Sequence, residues 1–105
     1  MNDEITVHDL RARRAAGDVV VLDVREPQEL AVAALDDVVH IPMAQIPRRV
    51  AELPRDRDIV VLCHMGVRSE RVTAFLRASG FERAVNLAGG IDAWSREIDP
   101  AVPRY

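Results

Sequence analysis

Three short, continuous apolar runs constrain this chain more than any other feature: VVVLDV at 19–24, IVVLC at 59–63 and AVNLA at 84–88. None alternates apolar with polar residues as a strand with one wet face does. Runs of this kind suit strands covered on both faces in a largely parallel sheet. The stretches between them carry helical spacing. Thr6 is expected to cap a helix over VHDLRARRAAG, with Gly17 ending it. Pro27 opens a helix over PQELAVAAL. In IPRRVAEL, Ile46, Val50 and Leu53 share a face before Pro54. In SERVTAFLRASG, Val72, Phe75, Leu76 and Ser79 form one stripe, with Ser69 expected at the N-cap and Gly80 just past the end. The last helix, IDAWSREI, puts Ile91, Trp94 and Ile98 on one side. A short edge strand is expected at EIT, and the tail DPAVPRY is expected to lie extended on the surface or to fray. Strands alternating with helices give an α/β fold, a small and mostly parallel sheet flanked by helices on both faces.

Length and composition bound the rest. With 105 residues, 49% of them hydrophobic, the chain is expected to form one domain, residues 1–105, around one core. A net charge of −3 supplies no basic field for nucleic acid, so no nucleic-acid binding is expected. All 14 basic residues are arginines, which excludes lysine-based chemistry. One cysteine makes no internal disulfide, and C-x-x-C spacing is absent. With 3 scattered histidines and no HExxH, no metal site and no cofactor are expected. No run approaches the ~18 apolar residues of a membrane span, and the acidic start MNDEIT is unlike a targeting segment. The expectation is a soluble cytoplasmic protein, monomeric by default.

Ligands of open α/β sheets gather beyond the carboxyl ends of the strands. Three stretches fall there: Asp23 to Glu26, Cys63 to Ser69, and Gly89–Gly90. The middle one holds the only cysteine. Cys63 leaves a strand, Ser69 begins a helix, and only His64, Met65, Gly66, Val67 and Arg68 lie between. So tight a turn curls the backbone, with Gly66 free to take positive φ. Its amides then form an anion-binding nest at a helix N-terminus. The anion it fits is the cysteine's own thiolate, the reactive form of the residue. A helix end supplies only about 0.3–1 kcal/mol, so several aimed amides and the Arg68 guanidinium are expected to share the work. A buried core cysteine is the bland reading of VVLC, but it does not account for the loop that follows.

CHMGVRS resembles the active-site loop of rhodanese-type sulfurtransferases, commonly Cys-x-x-Gly-x-Arg-Ser. VVLDVREPQEL resembles the family's Asp-Val-Arg-Glu strand and turn, HIPMA its His-Ile-Pro-Gly-Ala segment, and VNLAGGIDAW its closing Gly-Gly-x-x-Ala-Trp. The blocks stand in family order across residues 20–95. DPAVPRY is similar to the tails of rhodanese domains joined to molybdopterin-type adenylyltransferases. The resemblance implies a rhodanese-like fold and a sulfurtransferase that moves sulfane sulfur, from thiosulfate or a protein persulfide, to cyanide, a thiol or a sulfur-relay protein. The sulfur would travel as a persulfide on Cys63, the catalytic nucleophile, cradled by His64, Met65, Gly66, Val67, Arg68 and Ser69 and supported by Asp23 and Arg25.

Arg68 is a candidate for binding an anionic donor or for bracing the loop, because a cation at the first turn of a helix opposes the helix dipole and needs a reason. Asp23 and Arg25 suit an ion-paired brace. His64 either bonds a donor or tunes the thiolate, or else points to solvent. His40 is expected to be structural, His8 a surface residue, Gly89 and Gly90 a matter of backbone geometry, and Trp94 core. Met43 stands where the family usually has glycine, and the longer 30–39 segment is expected to lengthen the second helix and reshape one rim. His64 replaces a frequently basic residue, which makes the mouth less cationic. Two rivals remain: a non-catalytic or regulatory rhodanese-like binding module, and a small cysteine-based phosphatase or arsenate reductase. Only 4 residues separate Cys63 from Arg68, one fewer than in phosphatase loops, and the smaller bowl suits one sulfur atom better than phosphate.

Overall fold

The computed structural model describes residues 3–105; the first two residues of the acidic N-terminal segment, and of the span expected to form one domain, lie outside the described residues. In chain order the elements are β1 (Glu4–Ile5), α1 (Val7–Ala16), β2 (Val19–Asp23), α2 (Pro27–Val32), β3 (Val39–His40), α3 (Ile46–Arg49), β4 (Asp58–Leu62), α4 (Val67–Ala78), β5 (Ala84–Leu87) and α5 (Gly90–Glu97). The five strands form one sheet in the order β1-β5-β4-β2-β3, and every pair is parallel. The expected α/β architecture is therefore present, with helices on both faces.

The continuous apolar runs follow from that two-sided cover. In β4, Val60 and Leu62 pack into one cluster with Leu10, Leu87, Ile91 and Trp94. Ile59 and Val61 face the other way, into a cluster with Ile46, Leu53, Val72, Leu76 and Phe81. Cys63 keeps the parity of Ile59 and Val61 and lies on that second side, under α4. At roughly 25 cal/mol per Å² of apolar surface removed from water, these two layers are the main favourable contribution to folding.

Local signals set the element ends. Thr6 caps α1 as expected: its Oγ1 accepts from the Asp9 amide at 3.1 Å, and the Asp9 carboxylate accepts from the Thr6 amide at 3.3 Å. Gly17 closes α1 in the left-handed region. Three expectations need correction. The helix opened by Pro27 stops at Val32 and is not lengthened, because Ala33 turns extended and hands its carbonyl to Arg25 Nη2 at 2.8 Å. Ala33 and Leu35 then drop into the core. IPRRVAEL is not one helix: the one turn of α3 lies between two 3₁₀ turns, Met43–Gln45 and Val50–Glu52, with Arg49 at φ −120° marking the break. Ser69 is not a cap; Gly66 takes that place, so α4 begins three residues earlier than expected. Among the described residues, no helix is long and apolar enough to cross a membrane.

Candidate active site

The sheet register brings the three expected stretches to one edge. Leu62 pairs with Asp23, and Val61 with Asn86. Beyond the strands, backbone bonds continue the convergence. The Cys63 carbonyl accepts from the Ile91 amide at 2.9 Å, and the His64 carbonyl accepts from the Asp92 amide at 3.1 Å. The first turn of α5 thus grips the start of the cysteine loop. That grip requires glycine at position 90, where φ is +59° and a Cβ would lie 2.5 Å from both of those carbonyl oxygens.

Cys63 is 1% exposed, but its sulfur is not enclosed in hydrocarbon alone. The Gly66 amide donates to Sγ at 3.1 Å, and Ser69 Oγ lies 3.2 Å from it. Gly66 achieves this in the left-handed region, φ 101°. The expected ring of aimed amides therefore reduces, at the resting sulfur, to one amide and one hydroxyl. The amides of Val67, Arg68 and Ser69 open α4 and have no intrahelical acceptor, as at any helix start. Met65 and Val67 are exposed at 58% and 67%, so apolar side chains flank the loop.

Arg68 is ion-paired to Glu29 of α2. Its Nη1 and Nη2 donate to Glu29 Oε2 and Oε1, both at 2.8 Å. Glu29 also accepts from the Glu26 amide at 2.9 Å and the Tyr105 hydroxyl at 3.0 Å. The Arg68 hydrogen bonds pull the Glu29 carboxyl down to about 2, against the opposing effect of burial. The same pair raises Arg68 still further above its ordinary value. The sequence pointed to Arg68 but not to Glu29, whose partner lies 39 residues away.

Asp23 and Arg25 form an ion pair, fully buried at 0% each. Arg25 Nη2 and Nε donate to the Asp23 carboxylate at 2.7 and 3.0 Å, and Nη1 donates to the Tyr105 hydroxyl at 2.9 Å. Each charge has a partner and further hydrogen bonds, the condition under which a buried pair survives desolvation. His40 is structural, with its Nε2 2.8 Å from the Arg25 carbonyl oxygen. His8 is a surface residue beside Glu97. Trp94 is core.

The tail lies on the surface, as expected, and is tied down there rather than frayed. Val102 O accepts from Ser95 Oγ, Arg104 Nε donates to Asp92 at 2.9 Å, and the Tyr105 ring lies flat on His64, centroids 3.9 Å apart and planes 9° from parallel. His64 is thus covered by tyrosine rather than turned to solvent, and its Nε2 is buried without a hydrogen-bond partner. Met43 packs beside the second core cluster, and its amide bonds the Val24 carbonyl at 3.0 Å. Among the described residues, no group of three His, Cys, Asp or Glu side chains converges in a way that would hold a metal. Asn86 was missed; the one signal was a lone amide inside the apolar run AVNLA.

A parallel α/β sheet with one cysteine on a tight strand-to-helix loop defines a class of small cysteine-loop proteins. Residues 6–97 match the Rhodanese-like domain, and the chain belongs to that family. It is 42% identical over 103 residues to a sulfurtransferase of Allochromatium vinosum, covering 97% of this chain and 96% of that one. A solved rhodanese-like domain protein from Staphylococcus aureus superposes with a TM-score of 0.84 at 30% identity, covering 100% of this chain and 99% of that one. A rhodanese-related protein from Thermoplasma volcanium gives 0.82 at 33% identity, covering 90% and 92%. This kinship supports sulfur transfer as the general chemistry.

Proposed function

We propose that the protein is a sulfurtransferase that carries one sulfane sulfur on Cys63. The observation that carries this reading is the placement of the only cysteine: its sulfur meets the Gly66 amide at the sheet's carboxyl edge, beneath the N-terminus of α4. In the first half-reaction the Cys63 thiolate attacks the outer sulfur of a donor R–S–S⁻. The donor S–S bond breaks, R–S⁻ leaves with the electron pair, and Cys63 becomes a persulfide. In the second, an acceptor thiolate attacks that outer sulfur, and the Cys63 thiolate leaves. Covalent catalysis divides the transfer into two steps with no net redox change. The free amides at the start of α4 are placed to hold the outer sulfur.

The donor is a persulfide in preference to thiosulfate. Arg68 is the cation of the loop, and Glu29 neutralises it through two hydrogen bonds. Met65 and Val67 present apolar surface beside it. A dianion such as thiosulfate meets little positive charge there. A small thiol or a sulfur-relay protein is the fitting acceptor. A free catalytic thiol suits a reducing compartment such as the cytoplasm.

Intact-protein mass spectrometry tests the reading. Treatment with a low-molecular-weight persulfide should add about 32 Da, one sulfur, to the protein by this covalent route. Excess thiol should remove it, and Cys63→Ala should never gain it. No mass gain with either a persulfide or thiosulfate would overturn the assignment. Hydrolysis of p-nitrophenyl phosphate that disappears in Cys63→Ser would replace it with a phosphatase.

A further inference from the structure

We infer that Asn86 is the positioning residue of the Cys63 sulfur: pinned by Glu4 and the Gly66 carbonyl, its side-chain amide claims the Ser69 proton and so keeps the resting cysteine as the hydrogen-bond donor to Ser69. The inference rests on the reading of Cys63 as the nucleophile.

Asn86 is 2% exposed and bonds both residues that bond the sulfur, Ser69 through its hydroxyl and Gly66 through its carbonyl. Its Nδ2 donates to Glu4 Oε2 and to the Gly66 carbonyl, each at 3.2 Å. A carboxylate and a carbonyl only accept, so the NH₂ end must face them. That fixes the orientation of the amide. Oδ1 then points the other way and accepts from the Ser69 hydroxyl. A serine hydroxyl has a single proton. Committed to Asn86, it leaves a lone pair facing Cys63 Sγ at 3.2 Å. The proton in that contact must therefore belong to sulfur. Ionising Cys63 forces a choice. Ser69 keeps a lone pair against an anion, or it turns its proton to the sulfur and strands the buried Asn86 oxygen, which costs about one hydrogen bond. Asn86 also holds the Gly66 carbonyl, whose own residue supplies the amide on the sulfur. One side chain on β5, anchored from β1, holds both residues that hydrogen-bond the resting sulfur.

Since the chain has 1 cysteine, alkylation reads that sulfur alone. Four proteins are compared with iodoacetamide at mildly acidic and at strongly alkaline pH: wild type, Asn86→Leu, Ser69→Ala and the double variant. The nearby charges, Glu4 and the Arg68–Glu29 pair, are the same in all four. Asn86→Leu frees the Ser69 proton for the thiolate. It should raise the rate at acidic pH on the order of five- to tenfold, the factor one hydrogen bond supplies, with little change at alkaline pH. On the Ser69→Ala background the same substitution should produce no gain. A gain independent of Ser69, or no gain, overturns the inference, since simple loosening of the loop would ignore the hydroxyl. Should Asn86→Leu fail to fold, the infrared S–H stretch decides. It should lie at lower frequency in the wild type than in Ser69→Ala, and equal frequencies overturn the inference. Persulfide loading of the wild type, read separately by mass, distinguishes failure of this inference from failure of the sulfurtransferase reading.

Discussion

At the scale of single residues, the site depends on atoms that are absent. Gly90 lets α5 close on the carbonyls of Cys63 and His64, and any Cβ there would collide with both. Gly90→Ala should cost at least about 1–3 kcal/mol, the strain of a left-handed non-glycine residue, and it should slow persulfide loading because the loop must shift. Urea unfolding measures the first and a mass time course the second. The sequence showed that this glycine pair served the backbone. It also marked Cys63 and Gly66 at the turn, because a tight strand-to-helix loop leaves few alternatives. Ser69 was named in the loop around the cysteine, and only its reading as a cap was wrong. A serine before a helical stripe reads as a cap, yet Gly66 at positive φ started the helix earlier and turned the hydroxyl inward. Asn86 was not legible, since its meaning lies in partners on β1 and α4 that only the register supplies.

Between elements, an ion-pair clasp joins α2 to α4 through Glu29 and Arg68. Its pH dependence follows from the depressed Glu29 carboxyl. The folded value is about 2 and the ordinary value is 4.5. The clasp therefore contributes fully above the ordinary value, and its contribution falls as acid protonates the unfolded chain first, vanishing near the folded value. In Glu29→Gln the acid-induced loss of stability across that interval should be shallower than in the wild type. Denaturant midpoints measured through it check the prediction, and parallel slopes would contradict it. Strands and most helices were readable because apolar runs and 3.6-residue stripes are local. The clasp was not, because nothing local pairs a glutamate with an arginine across β3, α3 with its flanking 3₁₀ turns, and β4. β3, only two residues long, likewise leaves no periodic trace.

Across the whole molecule, the last residue reaches the centre of the site. The Tyr105 hydroxyl accepts from the buried Arg25 and donates to Glu29 while its ring covers His64. Tyr105→Phe keeps the stacking and removes both hydrogen bonds. It should destabilise the fold by about 1.5–3 kcal/mol, the range for hydrogen bonds to charged groups, as read from the urea midpoint. An unchanged midpoint would show the tail to be passive. Two prolines in DPAVPRY pointed to extended chain but not to where it docks, since one aromatic at a terminus has no partner visible in sequence.

The pairing of β1 with β5 has a consequence for synthesis. Glu4 lies beside Asn86 in the sheet, so the first strand has no neighbour until β5 has left the ribosome. Domains of this size close such distant pairings late. A nascent chain therefore displays its one thiol before the side chains that restrain it have arrived, and a cell that supplies reactive sulfur meets the cysteine first in its least discriminating form.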